Sequence, residues 1–534
     1  MSALATTPSS AADRRVPLAA ALVWLVALAE MAWLLPGGRS DDAEILLHTQ
    51  AFAWGYRLRN PPLFDWLAWA GMQLTGPTPV LVFALRLGCM ALGFWLLWKL
   101  ARRAGLDALP ALASALAPLW VLQFFYYALA DLTHTVLSGV FYAATVWAVW
   151  RARELPGWRR MAVLGGVVGL GLLTKYLFAL FVGAALLACW LVPAYRVLLR
   201  PGRLGVALLV ALAIALPHLL WVLHQDHATF AEQQRQSLET AGHWSVRNTL
   251  AGLGALLGYT LAVTLPWLLV GGLCSLDARR PQPVLAAAAA GGRGEKSQAL
   301  ATLRASDADL RWLAWTLALS VAAIALSIVG FGASRVRPHH LVFLSLAPLA
   351  VMLFLARRRA ALFARMQPGL RRFTRLTVAW VAVALLAFAV DARRFAQRCE
   401  LCGPQLDYAQ LAQGLRAQGL EGGTLYYASR HRLLNPPMLR QYLDLRVVWL
   451  DAPSTESPLP ARPQSACAWL WMPGVEDDAD ATRLAARVPA PLATARHAGS
   501  GLQLATRLKT VDRAGQPLML AVSRSGCAEP AGVR

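Results

Sequence analysis

A chain of 534 residues that is 57% hydrophobic is too apolar to fold as a soluble protein with a polar surface. A formal net charge of +22 is compatible with a nucleic-acid binder, but the Lys and Arg residues punctuate apolar runs instead of forming one basic segment. The composition therefore predicts an integral membrane protein that binds no nucleic acid.

Apolar runs long enough to cross a membrane recur over the first 391 residues. A hydrocarbon core of about 30 Å requires about 20 helical residues. The first run follows Arg14 and Arg15 without a small-residue cleavage site, so we interpret it as a retained helix and not as a signal peptide. The run at 161–174 is short and rich in glycine, so it and the next run could form one broken hairpin. We expect about eleven spans, at 17–35, 79–100, 109–128, 133–150, 161–174, 177–195, 204–223, 248–275, 311–330, 340–356 and 374–391.

Arginine is distributed unevenly between these runs, because alternate loops are rich in it and the loops between them are poor. By the positive-inside rule the arginine-rich loops are cytoplasmic. We therefore expect a multi-pass protein of the cell inner membrane with a cytoplasmic N-terminus and a periplasmic C-terminus. We then interpret the low-complexity segment 276–310 as a flexible cytoplasmic linker, and we expect the loop 36–78 to be periplasmic.

The composition changes past residue 391, where no run is long enough to span a membrane. Strand-like TLYYAS, RVVWLDA and ACAWLWMPG, with helix-like PPMLRQYL, predict a small periplasmic α/β domain over 392–534. The fold class is thus a mainly α, polytopic membrane protein, with a membrane domain over 1–391 and this C-terminal domain.

Cysteine use differs between the two parts of the chain. Cys89, Cys189 and Cys274 lie in or near predicted helices, where we expect inert packing. An oxidising exterior permits disulfides among the others, and no thioredoxin-like context surrounds the CELC pair. We expect at least one bridge, joining Cys399 to Cys402 or either of them to Cys467 or Cys527.

The first exterior loop opens with the acidic segment Ser40-Asp41-Asp42-Ala43-Glu44. Carboxylates at the edge of hydrocarbon are functional candidates, because they are costly there unless they face water, a partner or a metal. The alternative is a solvated helix start that Ser40 caps, since acidic residues favour a first helical turn.

The residues after this segment carry a family resemblance. Gln50, Gly55-Tyr56, Pro61-Pro62-Leu63 and Trp66-Leu67 follow the acids in this order. The sequence resembles bacterial members of the glycosyltransferase 39/83 group, the dolichyl-phosphate-mannose protein mannosyltransferase and aminoarabinose transferase superfamily with the membrane fold called GT-C. The resemblance covers about 17–400 and includes Arg86-Leu87, Asp131 to Thr135, Leu173 to Tyr176, Pro217-His218 with Trp221, and Arg337 to His340.

The resemblance implies an inverting glycosyltransferase that moves a hexosyl or pentosyl group from a polyprenyl-phosphate donor to a hydroxyl or phosphate of an extracytoplasmic lipid, glycan or protein. It implies that Asp41 is the general base and that Asp42 and Glu44 are its catalytic neighbours. Asp42 stands where relatives often have Glu, so its role is open. Substrate-binding candidates are Tyr56, Asp131, His134 and His339.

A phosphate donor also calls for fixed cations. Arg86, Lys175 and Arg337 are the candidates, since an Arg fork or a Lys point charge binds phosphate. Their alternative role is snorkelling toward lipid headgroups.

Two questions remain open from the sequence. No cofactor is expected to be required, and a divalent metal bound by His with Asp or Glu has no residue set to support it. The histidines in the outer half of the predicted topology are His48, His134, His218, His224, His227, His243, His339 and His340. A membrane transporter is the alternative function, although no internal repeat is evident and the intramembrane charges cluster at one face.

Overall fold

The computed structural model of the protein describes residues 11–35, 37–155, 157–225, 244–276, 305–334, 336–398, 407–428, 435–450, 466–471, 484–497, 502–510, 513–523 and 527. The chain divides into two compact units. The first consists of 1–26, 59–61 and 86–385, and the second of 27–58, 62–85 and 386–534. The acidic segment of the first loop thus belongs to the same unit as the C-terminal residues.

Helices dominate the described chain. They are α1 Ala11–Leu34, α2 Ser40–His48, α3 Leu63–Thr75, α4 Pro79–Arg103, α5 Ala108–Leu116, α6 Tyr126–Ala130, α7 Thr133–Glu154, α8 Trp158–Leu172, α9 Phe178–Leu191, α10 Pro201–Leu223, α11 Val246–Ser275, α12 Asp307–Phe331, α13 Ala347–Arg358, α14 Ala360–Arg365, α15 Gln367–Arg398, α16 Tyr408–Ala417 and α17 Ala490–His497. Short 3-10 helices cover Ala117–Trp120, Leu122–Phe124, Pro193–Leu199, Pro338–Leu346 and Pro436–Gln441.

The protein is a multi-pass membrane protein. Within the described residues, six helices are long and apolar enough to cross a membrane, or up to eight if each of two bent pairs is one span. The six are Pro79–Arg103, Pro201–Leu223, Val246–Ser275, Asp307–Phe331, Pro338–Arg358 and Gln367–Arg393. The count of eleven stays a prediction.

Two of the expected straight spans are broken. The run at 109–128 bends by 97° between Ala108–Trp120 and Leu122–Leu129, and the run at 177–195 bends by 120° after Leu191. Pro193 begins the segment after the second break, and Pro118 lies in the 3-10 turn before the first break. The missing N–H and fixed φ of proline favour such short turns. The apolar composition of these two runs predicted their length correctly, but it did not predict the bends.

The glycine-rich run at 161–174 forms the helix α8, Trp158–Leu172. A Cβ on Gly165 would lie 2.3 Å from the Ala207 carbonyl oxygen, and one on Gly169 would lie 2.9 Å from that of Ala211. The glycines therefore allow α8 and α10 to pack backbone against backbone, as small residues do between membrane helices.

The helix α12 begins inside the segment expected to be a linker. The Ser306 hydroxyl accepts a hydrogen bond from the Asp309 backbone N–H, and the Asp309 carboxylate accepts one from the Ser306 N–H at 2.6 Å. This capping box starts the helix at Asp307, so the expected linker is too long at its C-terminal end. Residues 277–304 lie outside the described part of the chain.

The orientation of the protein in the membrane can be tested with reporter fusions. We expect a fusion at Arg358 to report a cytoplasmic position and one at Arg398 an exterior position, because the helix α15 between them is long enough to span. The reverse pattern would contradict the topology and an extracytoplasmic reaction with it.

A mixed sheet forms the core of the second unit. Its strands are β1 Gly422–Tyr427, β2 Asp444–Trp449, β3 Cys467–Trp471, β4 Leu502–Thr510 and β5 Arg513–Ser523, in the order β2-β1-β3-β5-β4. β1 pairs in parallel with β2 and β3, whereas β5 is antiparallel to both β3 and β4. The first three strands confirm the sequence prediction. PPMLRQYL begins as the 3-10 helix Pro436–Gln441, and the last two strands were not evident from the sequence.

A disulfide joins Cys467 on β3 to Cys527, a separation of 60 residues. The expectation of at least one bridge in the C-terminal segment is confirmed, but this pairing is not among those named from the sequence. The sheet explains it, because β3 pairs with β5, whose Ser523 lies opposite Cys467. Cys399 and Cys402 lie outside the described residues.

Removal of this bridge is expected to destabilise the second unit. A crosslink that closes a loop of this size stabilises a fold by about 2–4 kcal/mol, mainly by restricting the unfolded chain. Cys467→Ala with Cys527→Ala should therefore lower the unfolding midpoint in denaturant, measured on the full chain. Cys89→Ala removes an unbridged thiol and serves as the control. An unchanged midpoint would contradict the bridge.

Candidate active site

The acidic helix α2 begins differently from the sequence prediction. Arg39, with an extended backbone, is its N-cap, and Ser40 is already the first helical residue. The Asp42 carboxylate accepts a hydrogen bond from the Arg39 backbone N–H at 2.7 Å, and Asp42 is fully buried. Asp42 thus satisfies the N–H group of the N-cap residue, and Ser40 is not the cap that the sequence suggested.

The three carboxylates occupy three different environments. Asp42 is buried at the helix start, and Glu44 forms an ion pair with Arg57 with both side chains largely buried. Asp41 is partly exposed. Asp41 and Glu44 are both partly buried, and the catalytic roles of the three carboxylates stay predictions.

A buried pair fixes the loop that follows α2. The His48 Nδ1 atom lies 2.7 Å from the Asp65 Oδ1 atom, and each side chain is only 2% exposed. Tyr56 stacks on the His48 ring at 5.1 Å between centroids, and its hydroxyl donates to the Ala51 carbonyl at 3.1 Å. Burial and the nearby Asp65 charge raise the pKa of Tyr56. These contacts join the end of α2 to the start of α3.

Tyr56 was predicted to bind substrate, and that role stays a prediction. The structure places its side chain inside the loop, 1% exposed. The His48 and Asp65 pair was not recognised from the sequence, because the two residues are 17 positions apart and meet only through the fold of the loop.

An aromatic cluster covers the outside of the same loop. Phe52 lies 5.1 Å from both Trp54 and Trp69 and 5.9 Å from Trp66, measured between ring centroids. Phe52 is 42% exposed and Trp54 50%. Residues 76–78 alone connect α3 to the membrane-spanning α4. Exposed aromatic residues so near a span are typical of the membrane–water interface.

A second group of site candidates lies in the first unit and is cationic. Lys175 lies in the turn between α8 and α9, and Arg337 directly precedes Pro338. Lys175, Arg337, His340 and Arg59 all lie close enough to His339 for their charges to act on its imidazole. The structure thus places Lys175 and Arg337 near His339, and their roles in binding donor or substrate stay predictions. Arg59, which is exposed, was missed although it lies two residues before the quoted Pro-Pro-Leu motif.

Arg86, the third predicted phosphate ligand, occupies a buried position in α4. Its guanidinium donates a hydrogen bond to the Leu129 carbonyl at 2.9 Å, and its side chain is 0% exposed. This contact satisfies a carbonyl near the end of α6. The structure gives Arg86 a helix-packing role, and its contact with a donor stays a prediction.

The segment that begins with Asp131 contains a strained residue. Leu132 has φ of 72°, and it is the only non-glycine residue with positive φ in the described part of the chain. Such a conformation costs about 1–3 kcal/mol and is often found at functional sites. Asp131 is half-buried and His134 is buried, and their predicted substrate-binding roles are not tested by this geometry.

Three rings stack beside Lys175. The Tyr176 hydroxyl lies 3.0 Å from the His218 Nε2 atom, and His218 stacks on Trp221 at 5.6 Å between ring centroids. Tyr176 is 44% exposed, whereas His218 is buried. The motif pieces Lys175-Tyr176 and Pro217-His218 therefore meet in the fold.

A metal site is not evident in the described residues. No group of three or more His, Cys, Asp or Glu side chains there is placed to hold a metal ion. His227 and His243 lie outside this part of the chain. The expectation that no cofactor is required stays a prediction.

Comparisons with known proteins agree with the architecture. Residues 59–221 match the family model for dolichyl-phosphate-mannose-protein mannosyltransferase. The structure resembles ArnT from Cupriavidus metallidurans in the apo state, with a TM-score of 0.53 at 16% identity over 95% of this chain and 98% of ArnT. The crystal structure of ArnT bound to undecaprenyl phosphate gives a TM-score of 0.50 at 15% identity over 94% and 97%. The chain therefore has the fold of ArnT.

Curated relatives of this chain come from Rhizobium johnstonii. The lipopolysaccharide core galacturonosyltransferase RgtB is 31% identical over 203 residues, which is 38% of this chain and 40% of RgtB. The lipopolysaccharide core galacturonosyltransferase RgtA is 28% identical over 351 residues, 65% of each protein. The match thus spans less than two thirds of either relative. The family resemblance and the mainly α GT-C fold predicted from the sequence are confirmed.

Proposed function

We propose that the protein is an inverting glycosyltransferase that takes a sugar from a polyprenyl-phosphate carrier and transfers it to an acceptor outside the cytoplasm. The observation that carries this proposal is the grouping of Lys175, Arg337 and Arg59 near His339. Cations gathered in this way suit the phosphate of a donor, and the carboxylate of Asp41, the base that the resemblance implies, suits the removal of the acceptor's proton.

The chemistry assigns one task to each group. The acceptor hydroxyl oxygen attacks the anomeric carbon from the face opposite the phosphate while Asp41 takes its proton. The bond between the anomeric carbon and the phosphate oxygen breaks, and polyprenyl phosphate leaves with the electron pair. The cations stabilise the negative charge that develops on the leaving phosphate. A single displacement inverts the anomeric configuration.

The relatives support a lipid substrate class. RgtA and RgtB are named for transfer of galacturonate to lipopolysaccharide core, and ArnT has been crystallised with undecaprenyl phosphate. We extend this to an undecaprenyl-type donor and a lipopolysaccharide-type acceptor, with galacturonate as the first sugar to test. The exposed Phe52 and Trp54 suit a reaction at a membrane surface. The same relatives favour this function over the transporter that the sequence left open.

The test is transfer by the purified full-length protein in lipid nanodiscs. With undecaprenyl-phosphate galacturonate and lipopolysaccharide core as substrates, we expect mass spectrometry to find an acceptor heavier by one sugar and an equal amount of released undecaprenyl phosphate. NMR should show the inverted anomer. Transfer of a different sugar from the same carrier would change the identity of the sugar and leave the proposed reaction unchanged. The absence of transfer from a whole polyprenyl-phosphate-sugar extract would refute the function.

A further inference from the structure

The side chain of Gln50 completes the edge of the C-terminal sheet. β2 is the outer strand on one side of the described sheet. The Gln50 Nε2 atom donates to the Val447 carbonyl at 2.9 Å, and the Val447 N–H donates to the Gln50 Oε1 atom at 2.7 Å. One amide side chain therefore makes both hydrogen bonds that a neighbouring strand would make with this residue.

The same amide also reaches the end of the acidic helix. Gln50 lies two residues beyond His48, the last residue of α2, and its Nε2 atom donates to the Leu47 carbonyl at 3.0 Å. Arg440, just before β2, donates to the adjacent Leu46 carbonyl. The last carbonyls of a helix have no partners within it, so Gln50 and the Arg440 side chain of the C-terminal domain supply partners that α2 lacks.

The beginning of α2 is held by the same domain. The Asn435 Nδ2 atom donates to the Gly37 and Gly38 carbonyls, at 3.1 Å each. Gly38 has φ of +59°, and a Cβ there would lie 2.6 Å from the Met438 Cε atom and 2.8 Å from the Asp42 Cβ atom. Only glycine fits this close approach without strain. Both ends of the helix that carries Asp41 are therefore bonded to the 435–449 segment.

We propose that the C-terminal α/β domain is the scaffold that orients α2, and that Gln50 is a positioning residue for Asp41. The inference rests on the proposed function for its catalytic consequence. A base acts only within hydrogen-bond reach of its proton, and a displacement of about 1 Å can cost about 10²-fold in rate. Gln50 acts through the helix and not through contact with substrate.

The kinetic test replaces Gln50 with Met, which keeps the length of the side chain and removes both hydrogen bonds. We expect Gln50→Met to lower turnover about 10-fold with the donor KM changed less than twofold. Gln50→Glu, which can still accept from the Val447 N–H, should recover part of that loss. Gln73→Met is the matched control, since the Gln73 amide is exposed and donates only within its own helix, to the Trp69 carbonyl.

A double-mutant comparison separates positioning from general damage. In the Asp41→Asn background, Gln50→Met should have little further effect, because the residue acts through Asp41. An equal loss in both backgrounds would overturn the positioning role, as would a donor KM that rises as much as turnover falls.

A second measurement does not depend on activity. Hydrogen exchange of the amides of 40–48 should be faster in Gln50→Met than in the unaltered protein or in Gln73→Met, because α2 loses its contact with the sheet. Equal exchange in all three would overturn the scaffold. If the unaltered protein transfers no sugar, the proposed function fails, and the exchange comparison still decides for or against the scaffold.

Discussion

Replacement of Asp41 by Asn is expected to lower turnover by about 10²-fold or more and to leave donor binding intact. The substitution keeps the size and polarity of the side chain and abolishes its basicity. Asp41 is partly exposed, whereas Asp42 caps the helix start and Glu44 pairs with Arg57. Asp41 is the base that the family resemblance implies, so its loss should affect the chemical step alone.

The measurement is single-turnover transfer by the folded variant, together with its affinity for undecaprenyl phosphate. Asp107→Asn is the matched control, because Asp107 is exposed at the start of α5 and lies outside the candidate site. Near-normal turnover in Asp41→Asn would indicate that the base is Asp42 or Glu44. Near-normal turnover after replacement of each of the three would leave the proposed mechanism without a base.

Replacement of Lys175 by Ala is expected to weaken donor binding about 10- to 100-fold, with turnover at saturating donor reduced far less. A hydrogen bond to a charged group contributes about 1.5–3 kcal/mol, and Lys175 is one of the cations near His339. The variant loses a phosphate partner and keeps the base, so the effect should fall on affinity.

Titration with undecaprenyl phosphate in nanodiscs measures this affinity directly. Lys99→Ala is the matched control, since Lys99 is exposed on α4 and its ammonium lies over the Trp98 ring at 5.1 Å. A higher salt concentration should also weaken the binding of undecaprenyl phosphate to the unaltered protein, because salt screens the attraction between the cations and the phosphate. Unchanged affinity in Lys175→Ala would remove this residue from the donor site.

The sequence predicts the helices of this protein well where hydrophobic length alone decides. The expected spans at 204–223 and 248–275 correspond to Pro201–Leu223 and Val246–Ser275. The prediction fails at Pro118 and Pro193, because a proline in an apolar run can kink, end or simply begin a helix, and neighbouring helices decide which. β4 and β5 were missed for a related reason. β5 is placed in the sheet by pairing with β3, and β4 by pairing with β5, and neither pairing follows from the local pattern.

The candidate site was also predicted only in part from the sequence. The motif residues Asp41 and Lys175 were recognisable because the order of short patterns along the chain carries the family resemblance. The contacts around the acidic helix were not recognisable from the sequence, because the ion pair of Glu44 with Arg57 and the contact of Gln50 with Val447 exist only in the folded protein. The last of these joins residues 397 positions apart, beyond the reach of any local pattern.

The most direct test of the central claim is a comparison of lipids and glycans, by mass spectrometry, from cells with and without the gene. We expect the deletion to remove one sugar from an extracytoplasmic glycolipid and to leave undecaprenyl-phosphate sugar unconsumed. The unaltered gene should restore that sugar, and the Asp41→Asn gene should not. Identical profiles in all strains, or full restoration by Asp41→Asn, would contradict the account.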